Sequence, residues 1–296
     1  MRYNRSKIVL SIVKTVKKQK MKQKILLLIL SCISYVSIGQ TLPKKINETD
    51  FTIGKSITIK SAILNEIRTL NIYFPKSYSV DSTKKYPVIY LLDGSKGEDF
   101  IHISGIVQFG SFSWINMISE SIVVGIANVD RKRDFTYPSQ NALDQEEFPT
   151  SGKSKNFIAF IQDELQPFID STYRTTNGKT IIGQSLGGLL ATEIVLKKPE
   201  LFDNYIIVSP SLWWDDEKLL NEQAVAYSSK KSIYVAVGKE GEIMERTAKA
   251  LFDKLKKNQK QNTYLYYEFL EDKTHGDALH NAVYNAFNKI FEPKEP

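Results

Sequence analysis

A series of short apolar runs, separated by stretches of helical periodicity, constrains the fold of this chain more than any other feature. Each run is rich in β-branched and aromatic residues, as expected for strands that are buried on both faces. The runs are YPVIYLLDG, SIVVGIAN, KTIIG, NYIIVSP, SIYVAVG and TYLYYEFL. Between them, apolar residues recur three or four positions apart, which predicts helices. The predicted helices are Lys155–Ile169, Leu186–Lys197, Ile243–Lys257 and Ala278–Phe291.

Buried strands that alternate with helices predict an α/β fold with a mostly parallel central sheet and helices on both faces. Before the first run, ITIKSAILNEIRTLNIYFP shows period-2 alternation in two segments, which predicts an antiparallel hairpin that turns at Asn65. We therefore expect a single domain over residues 51–293, preceded by a polar linker over 40–50. Residues 128–152 form a long polar connection after a central strand, where α/β sheets of this kind bind ligands.

The N-terminal region, residues 1–39, has the layout of an export signal preceded by a basic extension. Met21 is the better initiator, because a short basic segment after it leads into the apolar run Ile25–Ile33 and then into small residues. This order is typical of a secretory signal peptide and is too short for a stable membrane span. We expect cleavage near Gly39–Gln40 and a periplasmic or secreted protein. The alternatives are a lipid anchor on Cys32 and a buried N-terminal helix.

The formal net charge of +7 resides in this leader. Residues 1–39 hold nine of the 40 basic residues and no acidic residue, which leaves 31 basic against 33 acidic residues in 40–296. This balance gives no general attraction to phosphate backbones, so no nucleic-acid partner is expected. Cys32 is the single cysteine of the sequence, so the predicted domain contains no disulfide and no thiol nucleophile.

The segment GQSLG, residues 183–187, matches the G-x-S-x-G pattern, in which a serine occupies a tight turn between a strand and a helix. We expect Ser185 to be a nucleophile, and Gly183 and Gly187 to be required because strand and helix approach closely. The amide of Leu186 would lie at the helix N-terminus, where it favours a developing oxyanion. The alternative is a glycine-rich turn in which Ser185 only caps the helix.

A serine nucleophile needs a histidine as its base, and the histidine is the last of the three groups along the chain in hydrolases with this turn. The sequence has three histidines. His102 precedes the serine, and His280 lies within the final helical stretch, where a surface or capping role is expected. His275 follows the last strand directly, in a loop that can reach Ser185, and it is the predicted base.

The acid that orients the histidine is expected after the penultimate strand, where KEGEIMER supplies three glutamates. Glu240 and Glu242 both lie in the predicted turn, and their spacing does not separate them. We favour Glu240 as the partner of His275, with Glu242 as the alternative. Glu245 is expected to lie on the following helix and to face away.

Five segments, YPVIYLLDG, GQSLGG, SPSLWW, VAVGKEGEIM and THGDALH, resemble in this order the putative esterase (esterase D-like) branch of the α/β-hydrolases. Within that branch they are most similar to the enterobactin- and salmochelin-type siderophore esterases. The likeness covers most of Phe51–Phe291 and implies an α/β-hydrolase fold, serine esterase chemistry and no cofactor. It implies that Ser185 and His275 are nucleophile and base, and that the backbone amides of Ser95 and Leu186 form the oxyanion hole.

Three further residues are predicted to contact the substrate. Trp213 and Trp214 are adjacent in an extended segment, so at least one of them points away from the core, and the resemblance implies that they wall the substrate side. Arg133 is expected to meet an anionic catecholate, with a solvated charged loop as the alternative. No metal site is predicted, because no group of residues has ligand spacing.

The sequence therefore predicts an exported serine esterase whose partner is a small-molecule or glycan ester. Siderophore trilactones and polysaccharide-linked acyl esters are the candidate substrates. The alternatives are an acyltransferase of the same fold and a non-catalytic protein that binds siderophores or carbohydrates.

Overall fold

The computed structural model describes residues 3–33 and 42–291. The chain divides into two units, Met1–Phe51 and Thr52–Pro296. The first unit contains helix α1 (Tyr3–Ile33). Among the described residues, no helix has both the length and the apolar character that a membrane crossing requires. The predicted cleavage point at Gly39–Gln40 lies outside the described residues.

The second unit is built on one sheet of eight strands. The strands are β1 (Gly54–Ser61), β2 (Glu66–Tyr73), β3 (Tyr86–Leu91), β4 (Ile122–Ile126), β5 (Thr175–Gln184), β6 (Asn204–Val208), β7 (Lys231–Gly238) and β8 (Thr263–Leu270). Their order in the sheet is β1-β2-β4-β3-β5-β6-β7-β8. The hairpin β1–β2 and the pair β2–β4 are antiparallel, and all other pairs are parallel. The predicted fold class is therefore confirmed, and the hairpin turns at Asn65, which has a φ of 53°.

Helices surround the sheet. They are α2 (Ser77–Val80), α3 (Phe100–Gly110), α4 (Arg131–Phe135), α5 (Ala142–Glu147), α6 (Ser154–Phe160), α7 (Gln166–Thr172), α8 (Leu186–Lys197), α9 (Lys218–Asn221), α10 (Glu242–Lys257) and α11 (Ala278–Phe291), with a π-helical turn at Ile161–Leu165 and a 3₁₀ turn at Pro199–Leu201. Alternate residues of the central strands enter two apolar clusters, one on each face of the sheet. In β3, Val88 and Tyr90 enter the cluster with α6 and α8, and Ile89 and Leu91 enter the cluster with α3 and α11.

Two predicted segments differ in detail. The helix predicted over Lys155–Ile169 is interrupted by the π-helical turn and continues to Thr172. The turn contains Glu164, whose Oε1 accepts hydrogen bonds from the amides of Ala62 and Ile63 in the hairpin, at 2.8 and 3.0 Å. The helix therefore departs from regular geometry at the residue whose carboxylate contacts the β1–β2 turn.

The long polar connection over 128–152 is structured, because two short helices form within it. Asp130 and Asn141 cap helices α4 and α5, and each side chain accepts hydrogen bonds from backbone amides in the first turn of its helix. This segment follows β4 at the carboxyl end of the parallel strands. Since β3 to β8 are mutually parallel, the residues that follow each of them lie along one edge of the sheet.

Candidate active site

Ser185 occupies the turn between β5 and α8. Its backbone has φ 60° and ψ −122°, a conformation that residues other than glycine rarely adopt. The Ser185 amide donates to the carbonyl of Val208 at the end of β6, at 3.1 Å. The next amide, that of Leu186, lies in the first turn of α8, where helix geometry provides no internal acceptor. The turn therefore combines a strained serine with a free donor position beside it.

The glycines around this serine differ in how closely they approach other atoms. A Cβ on Gly183 would lie 2.4 Å from the carbonyl oxygen of Gly187, so this position requires glycine. A Cβ on Gly187 would have its nearest neighbour, Asp93 Oδ2, at 3.4 Å, which is ordinary contact. The prediction that Gly187 is sterically required is therefore wrong. The second tight approach is at Gly188, whose Cβ would lie 2.9 Å from Pro210 Cα.

We expect Gly183→Ala to be strongly destabilising, because the added methyl group meets backbone atoms that cannot move without displacing α8. A loss of about 1–3 kcal/mol or more in the free energy of unfolding is expected for such overpacking. Gly105→Ala on α3 is the matched control, since a Cβ there meets nothing within 4 Å and should stabilise the helix by about 0.5–1 kcal/mol. Denaturant unfolding of both variants tests this, and equal stability of Gly183→Ala and wild type would contradict it.

His275 and Glu240 are in contact. Nδ1 of His275 donates to Oε2 of Glu240 at 2.5 Å, and the two residues follow β8 and β7, which are neighbours in the sheet. The imidazole side chain is 48% exposed, whereas the carboxylate side chain is only 2% exposed. Gln184, which precedes the serine, donates through Nε2 to the carbonyl of His275 at 2.6 Å. The structure thus ties the histidine loop to the serine turn.

The surroundings of the Glu240 carboxylate favour its ionised form. Burial alone raises its pKa, but hydrogen bonds from His275, Ser209 and the Gly238 amide outweigh burial, and the pKa lies below its ordinary value of 4.5. An ionised carboxylate only accepts hydrogen bonds, so Nδ1 of His275 carries a proton, and in the neutral imidazole Nε2 presents its lone pair. This is the tautomer that can take a proton from a serine hydroxyl.

The other two glutamates of this segment have different positions. Glu242 is the first residue of α10, one residue beyond the turn that holds Glu240. Glu245 does not face away as predicted, because its Oε1 accepts from the amides of Glu240 and Gly241, both at 3.0 Å. Its carboxylate caps the first turn of α10 and fixes the backbone of the residue that contacts His275.

The predicted oxyanion amides belong to separate loops. Ser95 follows β3, and its amide points toward its own loop, where Glu98 Oε2 lies at a long 3.4 Å. Gly94 donates to the carbonyl of Ile126 at 3.0 Å, and its own carbonyl accepts from Asn71 Nδ2 at 2.8 Å. A Cβ on Gly94 would lie 2.3 Å from Gly125 Cα. The neighbouring strands β2 and β4 therefore hold this loop closely.

The structure separates the two tryptophans. Trp214 is fully buried, and its indole Nε1 donates to the carbonyl of Tyr137 at 2.9 Å. The prediction that Trp214 contacts substrate is therefore wrong, because its whole side chain is used in the core. Trp213 is half-buried and lies 6.2 Å from the ring of Phe148. It is the member of the pair that retains an accessible face.

Arg133 does not meet the site. Its Nε donates to Asp134 Oδ1 and its Nη2 to Glu66 Oε1, both at 2.7 Å. Both carboxylates are hydrogen-bonded to the guanidinium of Arg133. The prediction that Arg133 contacts an anionic substrate is therefore not supported by its contacts. Arg131, at the start of the same helix, instead contacts Asp93. Asp93 lies in the loop that follows β3, which we call the oxyanion loop because it contains Ser95. The side chains of positions 131 and 133 differ in direction because two helical residues are separated by about 200° around the axis.

The remaining histidines form a separate cluster. The rings of His102 and His280 stack with their centroids 3.7 Å apart and their planes at 14°. His280 Nε2 lies 3.2 Å from Asp99 Oδ1. Burial and then the neighbouring His280 lower the pKa of His102, although Asp99 opposes them. This stack joins α3 to α11, and its polar contact is with Asp99.

Two polar groups near the serine had not been predicted. Ser211 Oγ lies 3.3 Å from Ser185 Oγ, and Ser209 donates its hydroxyl to Glu240 Oε1 at 2.5 Å. Ser209 has a φ of 45°. The signal in the sequence is the position of both serines within three residues of the end of the buried strand β6. Within residues 3–33 and 42–291, no group of three or more His, Cys, Asp or Glu side chains is arranged to hold a metal ion.

Comparison with known proteins gives consistent matches. Residues 61–292 match the family model described as Putative esterase. The ferri-bacillibactin esterase BesA of Bacillus subtilis (strain 168) is 33% identical over 186 residues, which cover 58% of this chain and 64% of that protein. The chain spans about three fifths of the length of the first curated relatives that it matches.

Solved structures show the same architecture. An IroE-like serine hydrolase from Shewanella oneidensis superposes with a TM-score of 0.74 at 29% identity, covering 81% of this chain and 80% of that one. The BES protein from Bacillus cereus superposes with a TM-score of 0.72 at 25% identity, covering 86% of this chain and 100% of that one. These neighbours agree with the α/β-hydrolase fold of the second unit.

Proposed function

Because the chain belongs to the putative esterase family, we propose that it is a serine hydrolase that cleaves carboxylic esters through an acyl-Ser185 intermediate. The observation that supports this best is the contact between Nδ1 of His275 and the ionised, buried carboxylate of Glu240. That contact leaves Nε2 of the imidazole able to accept a proton. A turn that only capped a helix would not need a histidine of fixed tautomer on the adjoining loop.

The proposed reaction has two steps. Ser185 Oγ attacks the ester carbonyl as His275 Nε2 takes the hydroxyl proton, and the same nitrogen then protonates the leaving alcohol. A water molecule next attacks the acyl-serine, gives a proton to His275, and releases the carboxylic acid as the proton returns to Ser185 Oγ. The amides of Leu186 and Ser95 are the proposed donors to the negative oxygen in both steps, and each such donor contributes roughly 3–4 kcal/mol. For this the Ser95 amide exchanges its long 3.4 Å contact with Glu98 Oε2 for the substrate oxygen.

We propose siderophore esters, and cyclic trilactones first, as the substrate class. The support is the similarity to a relative whose name is ferri-bacillibactin esterase, together with the accessible Trp213 on the loop that follows β6. Aromatic acyl groups such as catecholates can stack against an indole face. Arg133 is not included in this proposal, because its guanidinium is occupied by Glu66 and Asp134.

Hydrolysis in water enriched in ¹⁸O tests the reaction type and the substrate class together. Purified protein is incubated with a catecholate trilactone and, separately, with a feruloylated oligosaccharide. The masses of the products are then measured by mass spectrometry. Incorporation of ¹⁸O into the released acid is expected for the trilactone. Transfer of the acyl group to an added alcohol without ¹⁸O would indicate an acyltransferase. Hydrolysis of the feruloyl ester but not of the trilactone would indicate that feruloyl esters are the substrate class. If the protein binds an ester and leaves it unchanged, a binding function is indicated.

We also propose that the protein is exported and that its signal is removed near Gly39–Gln40. The support is the order of basic, apolar and small residues after Met21. The intact mass of the mature protein, recovered from fractionated cells, tests this. The expected mass is that of a chain that begins near Gln40. A mass that includes a lipid on Cys32 would indicate an anchored protein, and an uncleaved chain would contradict the proposal.

A further inference from the structure

A cavity of about 580 Å³ is lined by residues of α6, α8 and α9 and by the segment that precedes α5. This volume lies in the range of sites that bind small molecules. Glu193, which lines the cavity from α8, follows Ser185 by eight residues, and this spacing corresponds to roughly 12 Å along the helix axis. The cavity is therefore not part of the serine turn.

One wall of the cavity is apolar and fixed by hydrogen bonds. The apolar lining residues are Tyr137, Pro138, Ile158 and Ala159. Tyr137 and Trp214 hold each other, because the hydroxyl of Tyr137 donates to the carbonyl of Trp214 at 3.2 Å and the indole Nε1 of Trp214 donates to the carbonyl of Tyr137 at 2.9 Å. The amide of Ser154 donates to the carbonyl of Thr136 at 2.9 Å. The wall is thus formed before any ligand binds, as in most small-molecule sites.

Two buried polar atoms of the lining residues have no hydrogen-bond partner among the residues that the structure describes. Ser154 is 0% exposed and its Oγ is unpartnered. The side chain of Glu193 is 5% exposed. Its Oε1 accepts from Lys197 Nζ at 3.1 Å, whereas its Oε2 is unpartnered. Buried polar atoms without partners are uncommon, since they have lost their hydrogen bonds to water. A ligand with a hydrogen-bond donor would satisfy both atoms.

The charges around the cavity indicate what else such a ligand carries. Four lysines and three carboxylates line it. Glu193 and Glu222 both pair with Lys197, whereas Lys155 and Lys198 are exposed. A ligand whose donor is an ammonium group would meet these exposed cations, and like charges in contact are unfavourable. A hydroxyl is therefore the better donor, and a carboxylate is the group that suits the lysines.

We propose that this cavity binds a small hydroxy acid with an apolar body. The hydroxyl donates to Glu193 Oε2 and contacts Ser154 Oγ, the apolar body lies against Tyr137 and its neighbours, and the carboxylate faces the exposed lysines. A site of this kind rejects analogues that lack the hydroxyl, because its buried polar atoms are then left unpaired. The inference does not require Ser185 to be a nucleophile, so it can be tested without any measurement of hydrolysis.

Isothermal titration calorimetry of the purified protein with three compounds tests the ligand class. The compounds are para-hydroxyphenylpropanoate, phenylpropanoate and tyramine. We expect the first to bind. Phenylpropanoate lacks the hydroxyl and should bind about tenfold more weakly or worse, as expected for the loss of a hydrogen bond to a charged acceptor. Tyramine keeps the phenol but carries an ammonium group in place of the carboxylate, and it should also bind about tenfold more weakly.

Ser154→Ala tests the location of the site. We expect the affinity for para-hydroxyphenylpropanoate to fall by about 3–10-fold, while the ligand-free protein is as stable as wild type or more stable, because the removed hydroxyl has no partner to lose. Ser104→Ala is the matched control. Ser104 is 1% exposed and its Oγ is also unpartnered, but it lies on α3, which packs on the other face of the sheet. This variant should keep the wild-type affinity.

Glu193→Gln is the second variant in the cavity. Glutamine has one acceptor oxygen where glutamate has two, so it cannot serve both Lys197 and the ligand. We expect the affinity to fall about tenfold or more. The preference for para-hydroxyphenylpropanoate over phenylpropanoate should be lost at the same time, because that preference depends on the acceptor. A merely structural effect of the substitution would weaken both compounds equally.

Each contrary result has a distinct meaning. If none of the three compounds binds, or if tyramine binds most tightly, the proposed ligand class is wrong. Wild-type affinity in both Ser154→Ala and Glu193→Gln would overturn the site. Binding that is lost in Ser185→Ala and kept in Ser154→Ala would place the compound at the serine turn and also overturn it. If the wild-type protein forms no adduct with a fluorophosphonate, the serine hydrolase proposal fails and the cavity proposal is unaffected.

Discussion

Replacing Ser185 with alanine is expected to remove ester hydrolysis almost completely, with a loss in kcat of about 10⁶-fold. The reason is that the acyl intermediate cannot form without the hydroxyl, and the oxyanion amides and substrate binding alone provide only a small part of the rate enhancement. Exposure to a fluorophosphonate, followed by intact-mass measurement, gives a second reading. One adduct is expected on the wild-type protein and none on Ser185→Ala.

Ser211→Ala is the control for this experiment, because Ser211 Oγ lies only 3.3 Å from Ser185 Oγ and is an alternative hydroxyl beside it. We expect Ser211→Ala to form the adduct as wild type does. An adduct that persists on Ser185→Ala and disappears on Ser211→Ala would assign the nucleophile to Ser211. No adduct on wild type would mean that the serine turn has only a structural role.

Replacing Glu240 with glutamine is expected to lower kcat by about 10⁴-fold, as for an acid that orients a catalytic histidine. The glutamine amide can donate to Nδ1 of His275, which would favour the tautomer with its proton on Nε2. That nitrogen could then no longer accept the proton of Ser185. Glu242→Gln is the matched control, since Glu242 is the first residue of α10, whereas the contact with Nδ1 of His275 is made by Glu240. Similar losses in both variants would contradict the assignment of Glu240.

The same variant has a pH-dependent effect on stability. The pKa of Glu240 is lower in the folded protein than its ordinary value of 4.5, so the ionised carboxylate adds stability that is fully present above that value. This stability is lost as the pH falls through the lowered, folded-state pKa. The difference in free energy of unfolding between wild type and Glu240→Gln should therefore shrink as the pH is lowered from about 7 to about 3. A difference that stays constant over this range would contradict the ionised state.

The sequence was sufficient to predict the fold and the positions of the serine and the histidine because both follow buried strands. Strand ends of a parallel sheet share one edge, so a residue directly after a strand has a predictable location. The ends of α8 and α11 were also predicted, since each has a continuous helical pattern between a turn and a polar segment. These features depend on periodicity and chain order, which a single sequence contains.

Side-chain direction within turns and short helices could not be predicted in the same way. Glu240 and Glu242 flank Gly241, which has a φ of 93°, and the contact that distinguishes Glu240 is with His275 on the loop after β8. Arg131 and Arg133 lie on a five-residue helix, and the partners that separate them, Asp93 and Glu66, are distant in sequence. Neither choice is encoded in local spacing. Each depends on tertiary contacts with another strand.

The division of the predicted site between early and late strands has a consequence during protein synthesis. The oxyanion loop and the serine follow β3 and β5, whereas Glu240 and His275 follow the last two strands. Ninety residues separate Ser185 from His275 along the chain, and ribosomes add roughly 5–20 residues per second. For several seconds a nascent chain therefore contains the serine turn without its acid or its base. The proposed catalytic site therefore stays incomplete, and inactive, until the residues that follow β8 have been synthesised.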